Sequence, residues 1–264
     1  KIEAQLEQLE IHYLSNSESH LYFALLSDFA DAHSESLSAD AKLLEIAKNK
    51  LAQLNRKYCV GPGEDPKFYI FHRRRLFNKA EGKWMGWERK RGKLHEFNTL
   101  LLGKGSTSFM LLEPEGLKVP KDIQFVITLD ADTRLPNGSA LQLIGTLAHP
   151  LNRPRLDSKI KRVTQGYGIL QPRITPTLPS YKESTIFQRL STGDAGIDPY
   201  ASAISDVYQD LFSEGSYTGK GIYDVKIFEE ALRDRIPENS MLSHDFFEGI
   251  FARCGLISDV EFLE

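Results

Sequence analysis

Only two cysteines, Cys59 and Cys254, occur in 264 residues. That excludes a disulfide scaffold and any four-cysteine zinc site, and it suits a reducing compartment. Charge of one sign is also lacking. The 33 Lys and Arg against 36 Asp and Glu leave a net charge of −3, so the chain as a whole is no nucleic-acid-binding polycation. No apolar run approaches the ~18–20 residues that span a bilayer; the longest strand-like stretches are Leu21–Leu26 and Phe125–Leu129. The opening Lys1–Glu10 is charged and helical in pattern, unlike a signal peptide. The histidines His12, His20, His33, His72, His95, His149 and His244 lack metal-ligand spacing such as His-Glu-x-x-His, and all but His244 read as structural or surface groups. There is no nucleophile elbow around a serine. Gly-Lys-Gly at 103–105 and 219–221 lacks the spacing of a phosphate-binding loop.

What is present is a globular balance, 41 % hydrophobic and 26 % charged. The chain begins at Lys1 and stops at Glu264 just after a strand-like segment, and reads as a soluble piece of something longer. Ile2, Leu6, Leu9 and Tyr13 recur at helical spacing. Leu21–Leu26 reads as a fully buried strand and Phe68–Phe71 as a second. Ala39–Tyr58 reads as a long amphipathic helix, capped by Ser38 or Asp40 and broken by Gly61-Pro62-Gly63. Further helices are expected over Leu94–Leu102, Ser139–Leu147, Ser180–Leu190, Tyr200–Phe212 and His244–Cys254, with Cys254 on the apolar face. Asp224 is placed to cap one more, through Leu232. Strands are expected over Ile123–Leu129, Val163–Leu170 and Leu256–Val260, and a loop over Gly103–Asp122. Strands alternating with helices predict an α/β fold with a mostly parallel central sheet and helices on both faces. Ligands on such sheets bind beyond the carboxyl ends of the strands, where Asp28, Asp130, Asp132 and Gln171 fall.

Three constellations carry chemistry. In FVITLDADTRLP, Phe125–Pro136, an apolar strand delivers Asp130 and Asp132 to its end. In an extended chain residues i and i+2 point the same way, so the two carboxylates could share a hard divalent cation, Mg²⁺ or Mn²⁺, and neutralise a diphosphate leaving group. The bland alternative is that both cap the next turn or helix. A dehalogenase-type phosphatase would want Thr or Val where Arg134 stands. The second constellation is Ser243-His244-Asp245-Phe246-Phe247-Glu248, where a carboxylate could be a general base; taken alone it reads better as a helix start, with Ser243 or Asp245 stabilised by the macrodipole. The third is the basic stretch Lys67–Lys93, where ten Lys and Arg against two Glu give a local +8. It includes Arg73-Arg74-Arg75 and Lys90-Arg91-Gly92-Lys93, with Phe71, Phe77, Trp84, Trp87 and Phe97 interleaved. Such a run is usually a solvated face, and could bind nucleic acid. Beside a two-aspartate metal site it better suits a diphosphate.

The segments LLSDFADA (25–32), KRGKLHEFN (90–98), TLDADT (128–133), GILQPRI (168–174), EGSYTGKG (214–221) and LSHDFFEG (242–249) occur in the order they take in processive GT-A glucosyltransferases. Over roughly Leu21 to Phe262 the chain resembles most closely glycosyltransferase family 84, the glucosyltransferase domains of cyclic β-1,2-glucan synthases. The osmoregulated periplasmic glucan glucosyltransferases and the cellulose synthases are more distant. The family's Gln/Arg-x-x-Arg-Trp motif is absent.

The resemblance implies one GT-A-like domain over 1–264, with 1–20 as a helical extension, cut from a membrane-bound synthase. It implies donor binding by Asp28 (uridine), Lys90, Asp130 and Gln171, metal ligation by Asp130 and Asp132, and acceptor contact by Gly215, Ser216 and Tyr217. Asp245 becomes the catalytic base. The reaction implied is inverting transfer of glucose from UDP-glucose to a growing β-1,2-glucan, at the cytoplasmic face of a bacterial inner membrane. The partners implied are the remaining domains and membrane helices of the synthase, and no nucleic acid. A metal-dependent phosphohydrolase and a non-catalytic nucleotide- or glucan-binding module are the rival readings.

Overall fold

A computed structural model describes residues 2–58, 65–110, 119–175, 207–240 and 244–264. The expected helix Ser180–Leu190, residues 200–206 of the next helix, the Gly61-Pro62-Gly63 break, Cys59 and Ser243 lie outside the described residues, as does 111–118 of the expected loop. The protein is mixed α/β, with seven α-helices and ten strands among the described residues. Contacts gather it into two units, Lys1–Ile123 with Pro237–Met241, and Gln124–Ile236 with Leu242–Glu264. Each is described by itself.

In the first unit α1 (Ile2–Ser15) and α2 (Asp40–Tyr58) pack against two parallel strands, β1 (Phe23–Asp28) and β2 (Phe68–Arg73). Leu6, Phe23, Ala47, Leu54, Phe68 and Ile70 form the shared core. Each of the five larger side chains stabilises by roughly 1.5–3 kcal/mol, and the Ala47 methyl by about 0.8 kcal/mol. β2 is buried at all six positions, whereas β1 is buried only at Phe23 and half-buried beyond it. The expected fully buried first strand therefore starts two residues later and is buried at one position only, and its last residue is Asp28 itself, in register with Arg73. The basic stretch contains an unexpected hairpin, β3 (Leu76–Asn78) with β4 (Lys83–Met85). It then enters α3 (Arg89–Leu101).

The second unit is built on a four-stranded sheet in the order β10 (Cys254–Leu263), β8 (Ile169–Thr175), β9 (Gly221–Asp224), β5 (Phe125–Thr128). β10 pairs parallel with β8, while β9 pairs antiparallel with both β8 and β5. Three strands thus share one direction and β9 alone opposes them. The sheet is mixed rather than mostly parallel in its pairing, because the glycine-dotted loop leads straight into a short strand that the sequence pattern conceals. The segment expected as the strand Val163–Leu170 divides into β7 (Arg162–Gln165), paired in a hairpin with β6 (Arg155–Asp157), and β8. Gly166 enforces the break: its φ is +65°, and a Cβ there would come within 2.0 Å of the Arg153 carbonyl oxygen. α4 (Ser139–Ala148) packs on β8, β9 and β10 through buried Ala140, Leu143 and Leu147. α5 (Val207–Phe212) precedes the loop to β9. Asp224 caps α6 (Val225–Leu232) by accepting from the Ile227 N–H at 3.0 Å, as expected. α6 packs on α7 (Asp245–Ala252). Cys254 is fully buried, but it opens β10 instead of closing a helix.

Candidate functional site

Within the first unit, Asp28 ends β1 and meets Arg73 as a two-pronged ion pair. Arg73 Nε donates to Oδ1 at 2.7 Å and Nη2 to Oδ2 at 3.2 Å. Lys93 Nζ lies 3.1 Å from Oδ2. Arg73 is wholly buried and also donates to Glu96 Oε1 (3.0 Å) and to the carbonyls of Trp87 (2.8 Å) and Arg89 (2.9 Å). Burial alone would push the Asp28 carboxyl up, but the Arg73 hydrogen bonds and the Lys93 charge outweigh it and hold the group below its ordinary value. Gly86 completes the packing, because a Cβ there would come 2.7 Å from Asp28 Cγ.

The basic stretch is therefore not one solvated or phosphate-binding face. Arg75 is also buried, paired with Asp40 and donating to the Ala30 carbonyl. Only Arg74 of the three faces out. Burying two arginines demands carboxylate partners, which the sequence distance of 35 to 45 residues hides. Lys90 lies in the first turn of α3, half-buried, and the lysine that reaches Asp28 is Lys93.

In the second unit β5 stops at Thr128, so Asp130 and Asp132 stand in a turn rather than on an extended strand. The expectation that both point the same way by strand alternation does not apply there. The buried Thr133 hydroxyl accepts from the Asp130 N–H at 3.3 Å, and the Thr133 N–H donates back to the Asp130 carbonyl at 3.2 Å. Arg134 exchanges two backbone hydrogen bonds with Leu263, strapping the turn to the end of β10. Neither carboxylate caps α4. Its N-cap is Gly138, with no side-chain cap bond. Asp132 is exposed, and Asp130 faces Lys220, whose Nζ is 3.7 Å from Oδ2. Lys220 also pairs with Glu264.

The loop 214–221 is held from several sides. Gly215 donates its N–H to the Cys254 carbonyl at 2.7 Å. Ser216 is half-buried. Tyr217 is 3 % exposed, and its hydroxyl lies 3.1 Å from Thr128 Oγ1. Burial, with the nearby Glu248 and Asp245 carboxylates adding to it, pushes the Tyr217 phenol far up. Gln171 is wholly buried in β8. Its Oε1 accepts from both the N–H and the hydroxyl of Thr218 at 3.0 and 3.1 Å, and its Nε2 donates to the Pro172 carbonyl. Gln171 and Tyr217 thus act here by holding the loop. Gly219, at φ +80°, lies so close to α7 that a Cβ would be 2.6 Å from Asp245 Oδ1.

Asp245 is the first residue of α7, after the N-cap His244, which makes no side-chain cap bond. Its buried Oδ1 has no hydrogen bond among the described residues. His244 Nε2 is 3.4 Å from that atom and 3.9 Å from Oε1 of the buried Glu248. Among the described residues, His244, Asp245 and Glu248 are the group whose potential ligand atoms all lie within 4.8 Å of one another. Asp245 thus makes no capping hydrogen bond, yet it stands in the first turn of α7, where the helix dipole favours its charge, as the helix-start reading expects. The sequence grouped Arg73 and Lys93 with a basic face, left Glu248 without a role of its own and gave Lys220 none. The signal for Arg73 and Arg75 was their i, i+2 alternation after an apolar strand, and for Lys220 its place between two glycines. The turn offers two carboxylates two residues apart, the hard oxygen donors a divalent cation takes, and the Lys220 ammonium beside Asp130 opposes a cation there unless further negative charge joins the site.

No helix among the described residues is long and apolar enough to cross a membrane. No family model matches the chain. It is 50 % identical over 264 residues, the whole of this chain, to the cyclic beta-(1,2)-glucan synthase NdvB of Rhizobium meliloti (strain 1021), and it spans 9 % of that protein's length.

Proposed function

We propose that this chain is the GT-A-like glucosyltransferase domain of a cyclic β-1,2-glucan synthase of glycosyltransferase family 84. It transfers glucose from UDP-glucose to the growing glucan, with inversion, at the cytoplasmic face of the inner membrane. The observation that carries the reading is the Asp245 carboxylate, free of any capping duty and pressed against the loop 214–221. The similarity along the whole chain to a glucan synthase supports it.

Asp245 takes the proton from the acceptor hydroxyl as that oxygen forms its bond to the anomeric carbon. The bond from that carbon to the diphosphate oxygen breaks, and UDP departs with the electron pair. One displacement inverts the anomeric configuration and needs no covalent enzyme intermediate. Gly215, Ser216 and Tyr217 shape the loop that meets the acceptor, and Gln171 holds that loop through Thr218. Asp130 and Asp132 would hold the divalent cation, Mg²⁺ or Mn²⁺, which would supply charge neutralisation for the leaving diphosphate. In the first unit Asp28 is the uridine contact and Lys90 a diphosphate contact, with Arg73 and Lys93 orienting Asp28.

The test is a calorimetric titration of UDP with and without Mn²⁺, on the parent chain and on Asp132→Ala. Metal-dependent UDP binding that disappears in the variant is expected. UDP affinity unchanged by the substitution with Mn²⁺ present refutes the metal pair. Glucan binding without UDP binding selects the non-catalytic module, and release of phosphate from small phosphoesters without an acceptor selects the phosphohydrolase.

A further inference from the structure

Lys220 sits where a divalent cation and a diphosphate would both feel it. Its Nζ is 3.7 Å from Asp130 Oδ2 and it pairs with the Glu264 carboxylate. The Lys220 side chain is 14 % exposed and those of Asp130 and Glu264 are 36 % and 31 % exposed, so the charges meet at a partly solvated site. The backbone beneath it has little freedom. Gly219 is pressed on Asp245, and a Cβ at Gly221 would come 2.4 Å from the Leu170 carbonyl oxygen. The ammonium therefore stays near Asp130 unless the side chain itself turns.

We infer that Lys220 makes cation binding conditional on the donor's diphosphate. The inference rests on the reading of Asp130 and Asp132 as the cation pair. With no nucleotide bound, the ammonium partly neutralises Asp130 and repels a second cation, so the binary complex is weakened. A diphosphate brings its own negative charge, which both the metal ion and the ammonium attract, so in the ternary complex the sign of the Lys220 contribution reverses. Free cation is then held poorly and the cation–nucleotide pair well. That is a coupling between two ligands through one charged residue.

The test measures Mn²⁺ binding by the resonance signal of free Mn²⁺, and UDP binding at saturating Mn²⁺ by calorimetry. Lys220→Met keeps the length and removes the charge; Lys220→Gln serves as a second neutral variant, and Lys220→Arg keeps the charge. The neutral variants are expected to bind Mn²⁺ alone several-fold more tightly and to bind UDP with Mn²⁺ at least about tenfold more weakly, while Lys220→Arg keeps the parent pattern. Weakening of both, or a change in neither, with parent UDP binding still metal-dependent, overturns the inference and leaves the cation pair standing. Parent UDP binding that does not depend on Mn²⁺ removes the cation pair, and the inference with it.

Discussion

Replacing Asp245 by Asn removes the proposed proton acceptor and almost nothing else. Asn matches Asp in shape, which matters because Gly219 leaves no slack: an atom placed at its Cβ position would be 2.6 Å from Asp245 Oδ1. The carboxylate makes no cap hydrogen bond, so the ~0.5–2 kcal/mol that a lost N-cap costs does not arise. What is lost is the favourable placement of a negative charge at a helix N-terminus, about 0.3–1 kcal/mol. Relief of repulsion from the buried Glu248 carboxylate, whose ligand atom lies within 4.8 Å of that of Asp245, offsets part of that. Stability should change by less than about 1 kcal/mol. Loss of a general base lowers the rate by roughly 10²–10⁴, which at about 1.36 kcal/mol per decade raises the barrier by about 2.7–5.4 kcal/mol. The assay is glucan synthesis from UDP-glucose by the longer synthase carrying the substitution, with UDP affinity and thermal unfolding measured on this chain. Normal UDP affinity, near-parental melting and a rate down at least about a hundredfold are expected. Glucan synthesis within about threefold of the parent refutes the base assignment.

Arg73→Met should cost the first unit roughly 3–5 kcal/mol in urea unfolding, because it leaves Glu96 without a cation and Asp28 with Lys93 alone; a cost below about 1 kcal/mol would count against a structural role for the pair. Stability of the same unit should fall as pH drops from 7 towards 4. Burial holds His12 and His72 neutral, pushing each down to about 4, while the unfolded chain protonates both near the ordinary value of 6.5. The unfolded state therefore holds about 1.8 more protons at pH 5, a slope of about 2.4 kcal/mol per pH unit. Unfolding midpoints at pH 7, 6 and 5 read it directly; His72→Asn should halve the slope at pH 5, and a flat profile for the parent chain would contradict the burial argument.

Local pattern was enough for much of this protein. The spacing of Ile2, Leu6, Leu9 and Tyr13 dictates α1, the run ending at Thr128 dictates β5, and Asp224 ahead of an apolar period dictates the start of α6. Each depends on side chains a few residues apart, where helical and strand periods act. The candidate chemistry at Asp130, Asp132 and Asp245 was legible for the same reason: short motifs carry it. Tertiary structure alone decided the rest. β9 is four residues long and opposes its neighbours, and only its ladder partners make a strand of it. Arg73 and Arg75 read as part of a basic face until Asp28, Glu96 and Asp40, all distant in sequence, meet them in the interior. Only the fold shows that Asp245 stands in the first turn of α7 without a capping hydrogen bond. Lys220 reads as a lysine in a flexible loop, and acquires a part to play only because the chain folds its ammonium beside Asp130. Charges gain their meaning from partners, and partners are set by the fold.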